Sequence, residues 1–221
     1  MIRLVLASAS PARLSVLRAA GIDPLVRVSD VDEDAVIAAL PADTTPHAVV
    51  NELARAKART VATALADSDD LTGLGDDLVV VGCDSMLLLD GVLQGKPHTP
   101  EVTRNRWQAM AGRNADLITG HCVLRLRATG SAEPAVTAEA VDCSATTVHF
   151  AKPEPTELDA YIATGEPLRV AGAFTLDGLG GWFVDRIEGD PSSVVGIGLP
   201  LLRRLLQDVG IGVAQLWRAP A

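Results

Sequence analysis

The chain has 221 residues, a length suited to one domain, and 48% of them are hydrophobic against 3% aromatic, so its core is expected to be Val, Leu, Ala and Ile. A formal net charge of −9 excludes a protein that coats a nucleic-acid polymer, since that mode of binding needs a broad basic surface. A small phosphorylated ligand, held by a local basic pocket or a metal, remains open.

Three cysteines, Cys83, Cys122 and Cys143, stand far apart without metal-ligand spacing, which suits a reducing cytosol. The first apolar run is too short for a secretory leader. No stretch approaches the roughly 18 apolar residues of a membrane span. The expectation is a cytoplasmic protein with no membrane partner.

Ile2 to Ala7 reads as a buried strand that empties into Ser8-Ala9-Ser10-Pro11. Leu14, Leu17, Arg18 and Gly21 then mark a helix with Pro11 in its first turn and a glycine stop. A strand, a hydroxyl-rich turn and a helix start together suit phosphate, because free N–H groups and the positive end of the helix dipole face the turn. Ser8 and Ser10 can add hydroxyl donors, and Arg13 a cationic fork. The plainer reading is an N-cap at Ser10 with Arg13 solvated.

Pro24 to Val28 reads as a second strand. It leads into Asp30-Val31-Asp32-Glu33-Asp34, four carboxylates in five residues that either hold a hard cation such as magnesium or form a solvated loop. From Pro46, the spacing of Val49, Val50, Leu53, Ala54, Lys57, Ala58, Val61 and Leu65 is that of an amphipathic helix. Lys57 falls beside the apolar stripe, so its ammonium either emerges at one end of a cleft or snorkels to solvent. Asp67 to Asp77 reads as a variable polar loop.

The chemistry concentrates between Val79 and Pro97. Leu78 to Val81 and Met86 to Leu89 are short apolar runs bounded by turn residues, better read as strand than helix, with Asp84 between them. A carboxylate so flanked is partly desolvated and favours its neutral form unless a cation or hydrogen-bond donors hold it ionised. Lys96, beyond the Asp90-Gly91 turn, is one candidate cation, because a hairpin folds its second strand back beside the first. The alternative is an exposed aspartate at a strand kink beside a surface lysine.

Thr99 to Gly112 is expected to be a helix with Trp107 and Met110 inward. Asp116 to Leu126 and Ala135 to Phe150 are expected to be long strands joined by an exposed hairpin tip. A short helix, Glu154 to Thr164, stops at Gly165. In the glycine-rich stretch that follows, Gly172, Gly178, Gly180 and Gly181 would let a loop approach a ligand closely. Trp182 to Ile187 reads as a strand and Pro200 to Val209 as a closing helix. There is no G-x-x-x-x-G-K-S/T loop and no G-x-G-x-x-G after a strand, so neither a kinase nor a dinucleotide enzyme is supported.

The segments LASASPAR (Leu6 to Arg13), VDE (Val31 to Glu33), ELARAKA (Glu52 to Ala58), VVGCDS (Val80 to Ser85), GKP (Gly95 to Pro97), TGEPLRVAGAF (Thr164 to Phe174) and VVGIGLPLLRRLL occur in order over nearly the whole length. Together they resemble the Maf family of nucleoside triphosphate pyrophosphatases. The resemblance implies an α/β fold akin to that of inosine triphosphatases: an elongated mixed β-sheet with flanking helices, in a single domain (1–221) with two lobes around a cleft, commonly a homodimer. It implies hydrolysis of a nucleoside triphosphate between the α and β phosphates, giving monophosphate and pyrophosphate, with a divalent cation (Mg or Mn). Such chemistry needs a group to orient or deprotonate water and cations to take up phosphoryl charge. On that reading Asp84 is the proton acceptor and a metal ligand, and Glu33 is the second metal carboxylate. Ser8, Ser10, Arg13, Lys57 and Lys96 bind the triphosphate.

The branch of the family that prefers dTTP and UTP has two arginines after Ser-Pro, whereas Ala12 takes the first position here. That branch also has Thr where this chain has Ser85, Gln where it has Asp177, and Lys where it has Val170. Ala12, Ser85 and Asp177 therefore mark a different specificity, and the combination of CDSMLLLDGVLQGKP (Cys83 to Pro97) with AGAFTLDGLG (Ala171 to Gly180) resembles more closely the branch that prefers 7-methylguanosine triphosphate. Asp177 would offer an acceptor to the donor edge of guanine. Two other readings are a non-catalytic nucleotide-binding regulator of septum formation, with which the family is associated, and a phosphohydrolase acting at the terminal phosphate. The biological setting would be nucleotide-pool sanitation or arrest of cell division.

Overall fold

A computed structural model describes residues 2–66, 77–127 and 135–218. The expected polar loop up to residue 76 and the hairpin tip at 128–134 lie outside the described residues. The elements run β1 (Arg3–Leu6), α1 (Pro11–Ala19), β2 (Leu25–Val26), α2 (Glu33–Ala38), α3 (Pro46–Ala66), β3 (Asp77–Leu89), β4 (Val92–Gln94), α4 (Pro100–Met110), β5 (Asn114–Arg127), β6 (Ala135–Phe150) and α5 (Pro155–Ala163). Short 3-10 turns at Glu166–Arg169, Ala171–Ala173 and Leu179–Phe183 lead to β7 (Val184–Glu188), α6 (Pro191–Val195) and α7 (Leu199–Asp208).

The strands form one mixed sheet in the order β2-β1-β3-β5-β6-β7, with β4 on β3. β1 is parallel to β2 and β3, and the β3, β5, β6 and β7 pairings are antiparallel. This is the expected α/β architecture with an elongated mixed sheet. One face packs Val79, Val81 and Cys83 against Leu17 of α1 and Leu202 and Leu206 of α7. The other packs Val80, Leu78 and Leu124 against Ala54, Ala58 and Val61 of α3. Farther along β3 and β5, Leu87 and Leu117 join a cluster with Trp107, Phe150 and Phe174, where Trp107 meets Phe150 edge-on at 5.7 Å between ring centroids.

Local signals explain most boundaries. Ser10 accepts the Arg13 N–H at the start of α1, and Thr99 does the same for Val102 at α4. Asp32 caps α2 by accepting the Ala35 N–H, so the acidic run starts a helix instead of forming an open loop. The expected second strand shrinks to Leu25–Val26. The two apolar runs around Asp84 are one uninterrupted strand. Trp182 and Phe183 stay in a 3-10 turn, with Trp182 84% exposed, so β7 begins only at Val184. The short helix α6 was not expected, although Asp190 followed by Pro191 is an N-cap signature and Asp190 accepts the Ser192 N–H. Among the described residues no helix is long and apolar enough to cross a membrane.

Strand lengths position the site. β5 occupies one edge of β3 from Asp77 to Leu88. On the other edge β1 pairs with Leu78 to Val81 and β4 with Leu87 to Leu89. Between them, residues 82–86 of β3 have an open edge, and Asp84 and Ser85 lie in that gap.

Candidate active site

Two glycines bring α3 down onto the sheet at the gap. A Cβ on Gly82 would lie 2.3 Å from the Ala54 carbonyl oxygen and 2.8 Å from the Ala58 nitrogen, and one on Gly120 would lie 2.3 Å from the Val50 carbonyl oxygen. Side chains alternate along a strand, so Gly82 and Asp84 share the α3 face, and Gly120, in register with Asp84, shares it too. Lys57, between the contact residues Ala54 and Ala58, is carried to the sheet with them. Its Nζ lies 2.5 Å from Asp84 Oδ1 and 2.6 Å from Glu33 Oε1. Asp84 is 6% exposed and Lys57 7%, which rules out both the exposed aspartate and the snorkelling lysine.

The cation on Asp84 is thus Lys57, not Lys96. Pairing in the β3–β4 hairpin ends at Leu87 with Gln94, so Gly95-Lys96-Pro97 leaves the sheet before the level of Asp84. Lys96 turns instead to Glu33, with Nζ 3.8 Å from Oε1 and its side chain half exposed. Its loop is tied down by Gly172 N–H donating to the Gly95 carbonyl at 3.4 Å and His98 N–H donating to the Leu168 carbonyl at 3.0 Å. Arg106 of α4 also donates to the Gly95 carbonyl.

One ammonium shared by two carboxylates separates their acidities. Burial raises the Asp84 pKa above the usual carboxylate range, and the charge and hydrogen bond of Lys57, with Arg13 farther off, offset this only in part. Burial also pushes Glu33 up, but the Lys57 hydrogen bond and charge, then Lys96 and Arg13, outweigh it and hold Glu33 below its ordinary value. Asp84 is therefore the more basic of the two, and Glu33 the one that stays ionised.

Ser85 points to the opposite face, where α1 packs. Arg13 donates from Nε to the Gly196 carbonyl at 2.9 Å, from one terminal nitrogen to Ser8 Oγ at 3.1 Å and from the other to Ser85 Oγ at 3.3 Å. Ser85 Oγ also lies 3.0 Å from Thr119 Oγ1. Ser8 Oγ accepts the Ser10 N–H at 3.2 Å, and Ser10 Oγ accepts the Arg13 N–H at 3.4 Å. Arg13 is thus fixed by neutral oxygens, and among the described residues it forms no ion pair with a carboxylate, so its charge is available to an anion. Ala12 is half-buried beside this network, and Asp177 is exposed in the loop beyond Phe174. Among the described residues the Asp177 side chain has no hydrogen bond or ion pair.

The close approach that the glycine-rich loop makes is to the protein's own side chains. A Cβ on Gly178 would lie 2.8 Å from Glu166 Oε1, and one on Gly180 2.5 Å from the Tyr161 hydroxyl. Glu166 accepts from the Thr175 hydroxyl at 2.5 Å and from the N–H groups of Gly180 at 3.1 Å and Leu179 at 3.2 Å. Sequence reasoning missed Glu166, Thr119, Gly196 and Arg106 as parts of this framework. For Gly82 and Gly120 a signal existed, since glycine inside a strand marks a close backbone approach.

Asp84 and Glu33, which meet on Lys57 Nζ, are the carboxylates whose oxygens could serve a metal. Among the described residues no third His, Cys, Asp or Glu joins them. Two carboxylates, with the remaining positions left to phosphate oxygens and water, form a donor set that fits magnesium or manganese.

Residues 3–209 match the family of Maf-like proteins. The chain is 77% identical over 218 residues to a protein of Nocardia farcinica named nucleoside triphosphate pyrophosphatase, covering 99% of this chain and 98% of that one. Proteins of the same name from Rhodococcus jostii and Mycobacterium marinum are 68% and 56% identical, each over 217 residues, 98% of this chain and 97% of theirs. Since the match begins at the first strand and runs through the last α-helix, this chain belongs to the Maf-like protein family.

Proposed function

We propose that the protein is a nucleoside triphosphate pyrophosphatase that hydrolyses the bond between the α and β phosphates, releasing a nucleoside monophosphate and pyrophosphate. The observation that carries this reading is Lys57 shared by two carboxylates of unequal basicity, next to an arginine with no carboxylate of its own. Asp84, the more basic carboxylate, orients the attacking water and accepts its proton. Arg13, Lys57 and Lys96, with the hydroxyls of Ser8 and Ser10, hold the triphosphate across the open edge of β3 and take up charge that develops on its oxygens. Asp84 and Glu33 would hold a divalent cation, whose chemistry when bound is to polarise the phosphoryl group and neutralise its charge.

For substrate choice the reading assigns Ala12, Ser85 and Asp177 to specificity, with weak activity on dTTP and a preference for another nucleoside triphosphate, modified ones included. The support is their departure from the dTTP and UTP branch, and the exposure of Asp177, which leaves its carboxylate open to a base edge. The reading also takes the chain as one domain with two lobes and as a cytoplasmic homodimer. Its supports are the resemblance and three cysteines that are all free thiols.

The test is a product assay with magnesium or manganese on dTTP, UTP, CTP, GTP and 7-methyl-GTP, run beside Asp84→Asn. Monophosphate and pyrophosphate are expected from the wild type, with at least about a hundredfold loss in the variant. Orthophosphate as the product would shift the reading to terminal-phosphate hydrolysis. Binding without turnover would favour a regulator, and dTTP or UTP as best substrate by a wide margin would remove the specificity assignment.

A further inference from the structure

The fork of Arg13 is held on one side by the turn between α6 and α7. Its Nε bonds the Gly196 carbonyl, and Gly196 has φ 148° with room for a Cβ only 3.0 Å from Arg13 Cγ, so the turn lies flush on the arginine. Within the turn, Gly196 N–H and Ile197 N–H both donate to the Ser192 carbonyl at 3.1 Å, and Leu199 N–H donates to Ser192 Oγ at 2.9 Å. The next N–H, that of Gly198, donates at 2.9 Å to Nε2 of His121.

His121 is 0% exposed on β5. Its Nδ1 lies 3.1 Å from the Thr119 carbonyl oxygen. A backbone N–H can only donate and a carbonyl can only accept, so the two contacts fix one tautomer: Nδ1 carries the hydrogen and Nε2 the lone pair. A protonated ring would turn a second N–H against Gly198. Burial, then the charge of Arg13, against smaller opposing effects of the Thr119 carbonyl and then Asp142, takes the pKa down to about 4, so the acceptor form prevails at neutral pH. Thr119, on the same face of β5, lies within reach of Ser85 Oγ and donates to the Ser193 carbonyl at 3.4 Å. One strand face therefore supports both a partner of the arginine fork and the turn that receives its Nε.

We infer that His121 is a positioning residue for Arg13, whose Nε2, as hydrogen-bond acceptor to Gly198 N–H, sets the Gly196–Gly198 turn. This rests on the reading of Arg13 as a triphosphate ligand. Loss of the acceptor leaves a buried N–H unpaired, and the turn then shifts to find another partner, taking the Gly196 carbonyl off the guanidinium.

The experiment measures calorimetric binding of inorganic tripolyphosphate without metal to the wild type, Arg13→Ala, His121→Phe, His121→Gln and the Arg13→Ala/His121→Phe double variant, each checked for a native melting transition. His121→Phe is expected to weaken binding about tenfold, and His121→Gln, whose amide oxygen can accept in place of Nε2, to recover most of it. In the Arg13→Ala background His121→Phe is expected to change affinity by less than about twofold, the non-additivity of two residues acting through one contact. Wild-type affinity in His121→Phe, or losses that simply multiply, would overturn the inference. If His121→Phe does not fold, Ser192→Ala loosens the same turn from its other side, and the same cycle with Arg13→Ala applies. Unchanged affinity in Arg13→Ala would overturn the Arg13 assignment itself and the inference with it, which separates that failure from one confined to His121.

Discussion

Replacing Gly82 with alanine puts one methyl group between β3 and α3. Its carbon would lie 2.3 Å from the Ala54 carbonyl oxygen, 2.8 Å from the Ala58 nitrogen and 3.0 Å from the Ala58 Cβ. Non-bonded heavy atoms need about 3.3 Å or more, so the helix must withdraw by roughly 1 Å, and because the obstacle is helix backbone no side-chain rotation relieves it. Overpacking of this kind costs about 1–3 kcal/mol, and the upper end is expected here. The same movement lengthens the contact of Lys57 with Asp84 on β3, now 2.5 Å, beyond good hydrogen-bonding range. A misplacement of about 1 Å in a catalytic group lowers rates by about a hundredfold. Urea unfolding should therefore show a loss of about 2–3 kcal/mol, and pyrophosphate release should fall by about two orders of magnitude in the same variant. An unfolding midpoint and a rate both within error of the wild type would refute the idea that helix-to-sheet distance sets the site. Gly120→Ala should behave alike, and the double variant should lose less than the two separate losses together, because one lift of the helix serves both.

Lys57→Met leaves Asp84 buried without its cation, at a cost of about 3–5 kcal/mol when the carboxylate is charged. Removing the ammonium raises the Asp84 pKa further, so the variant should keep stability while the carboxyl is protonated and lose it as pH rises. Urea unfolding at pH 5 and pH 8 checks this, and equal losses at both would count against a buried charge pair. For His121, a folded-state pKa of about 4 against an ordinary 6.5 means that the fold favours the neutral ring. That stability is fully present above about pH 6.5 and lost as pH falls toward 4, about 3 kcal/mol in all. Between pH 7 and pH 4.5 the wild type should thus lose about 2–3 kcal/mol more than His121→Gln, and parallel acid profiles would show that the ring is not held neutral.

Much of the molecule can be read from short-range pattern. The strand, hydroxyl turn and helix at Ser8 to Arg13 follow from an apolar run, an N-cap and a proline in the first turn. The register of Val50, Leu53, Ala54, Ala58 and Val61 settles which side of α3 is buried, and the apolar flanks of Asp84 predict its desolvation. These are properties of residues within a few positions of one another, where backbone preference and periodicity act directly. The partners across the site are different. Asp84 is served by Lys57, 27 residues away, and not by Lys96 across the nearer hairpin, because β4 ends before reaching it. Arg13 is held by a carbonyl 183 residues distant, in the turn that ends a helix which sequence patterning did not bring out. The open edge at Asp84 exists because β1 and β4 are each too short to cover it, and His121 is a neutral acceptor only because two backbone groups from separate segments converge on its ring. Sequence alone singled out the candidate residues and the local elements that present them. Strand order, strand length and the distance of α3 from the sheet decided which of those residues meet, since these depend on packing between segments that the chain brings together only on folding.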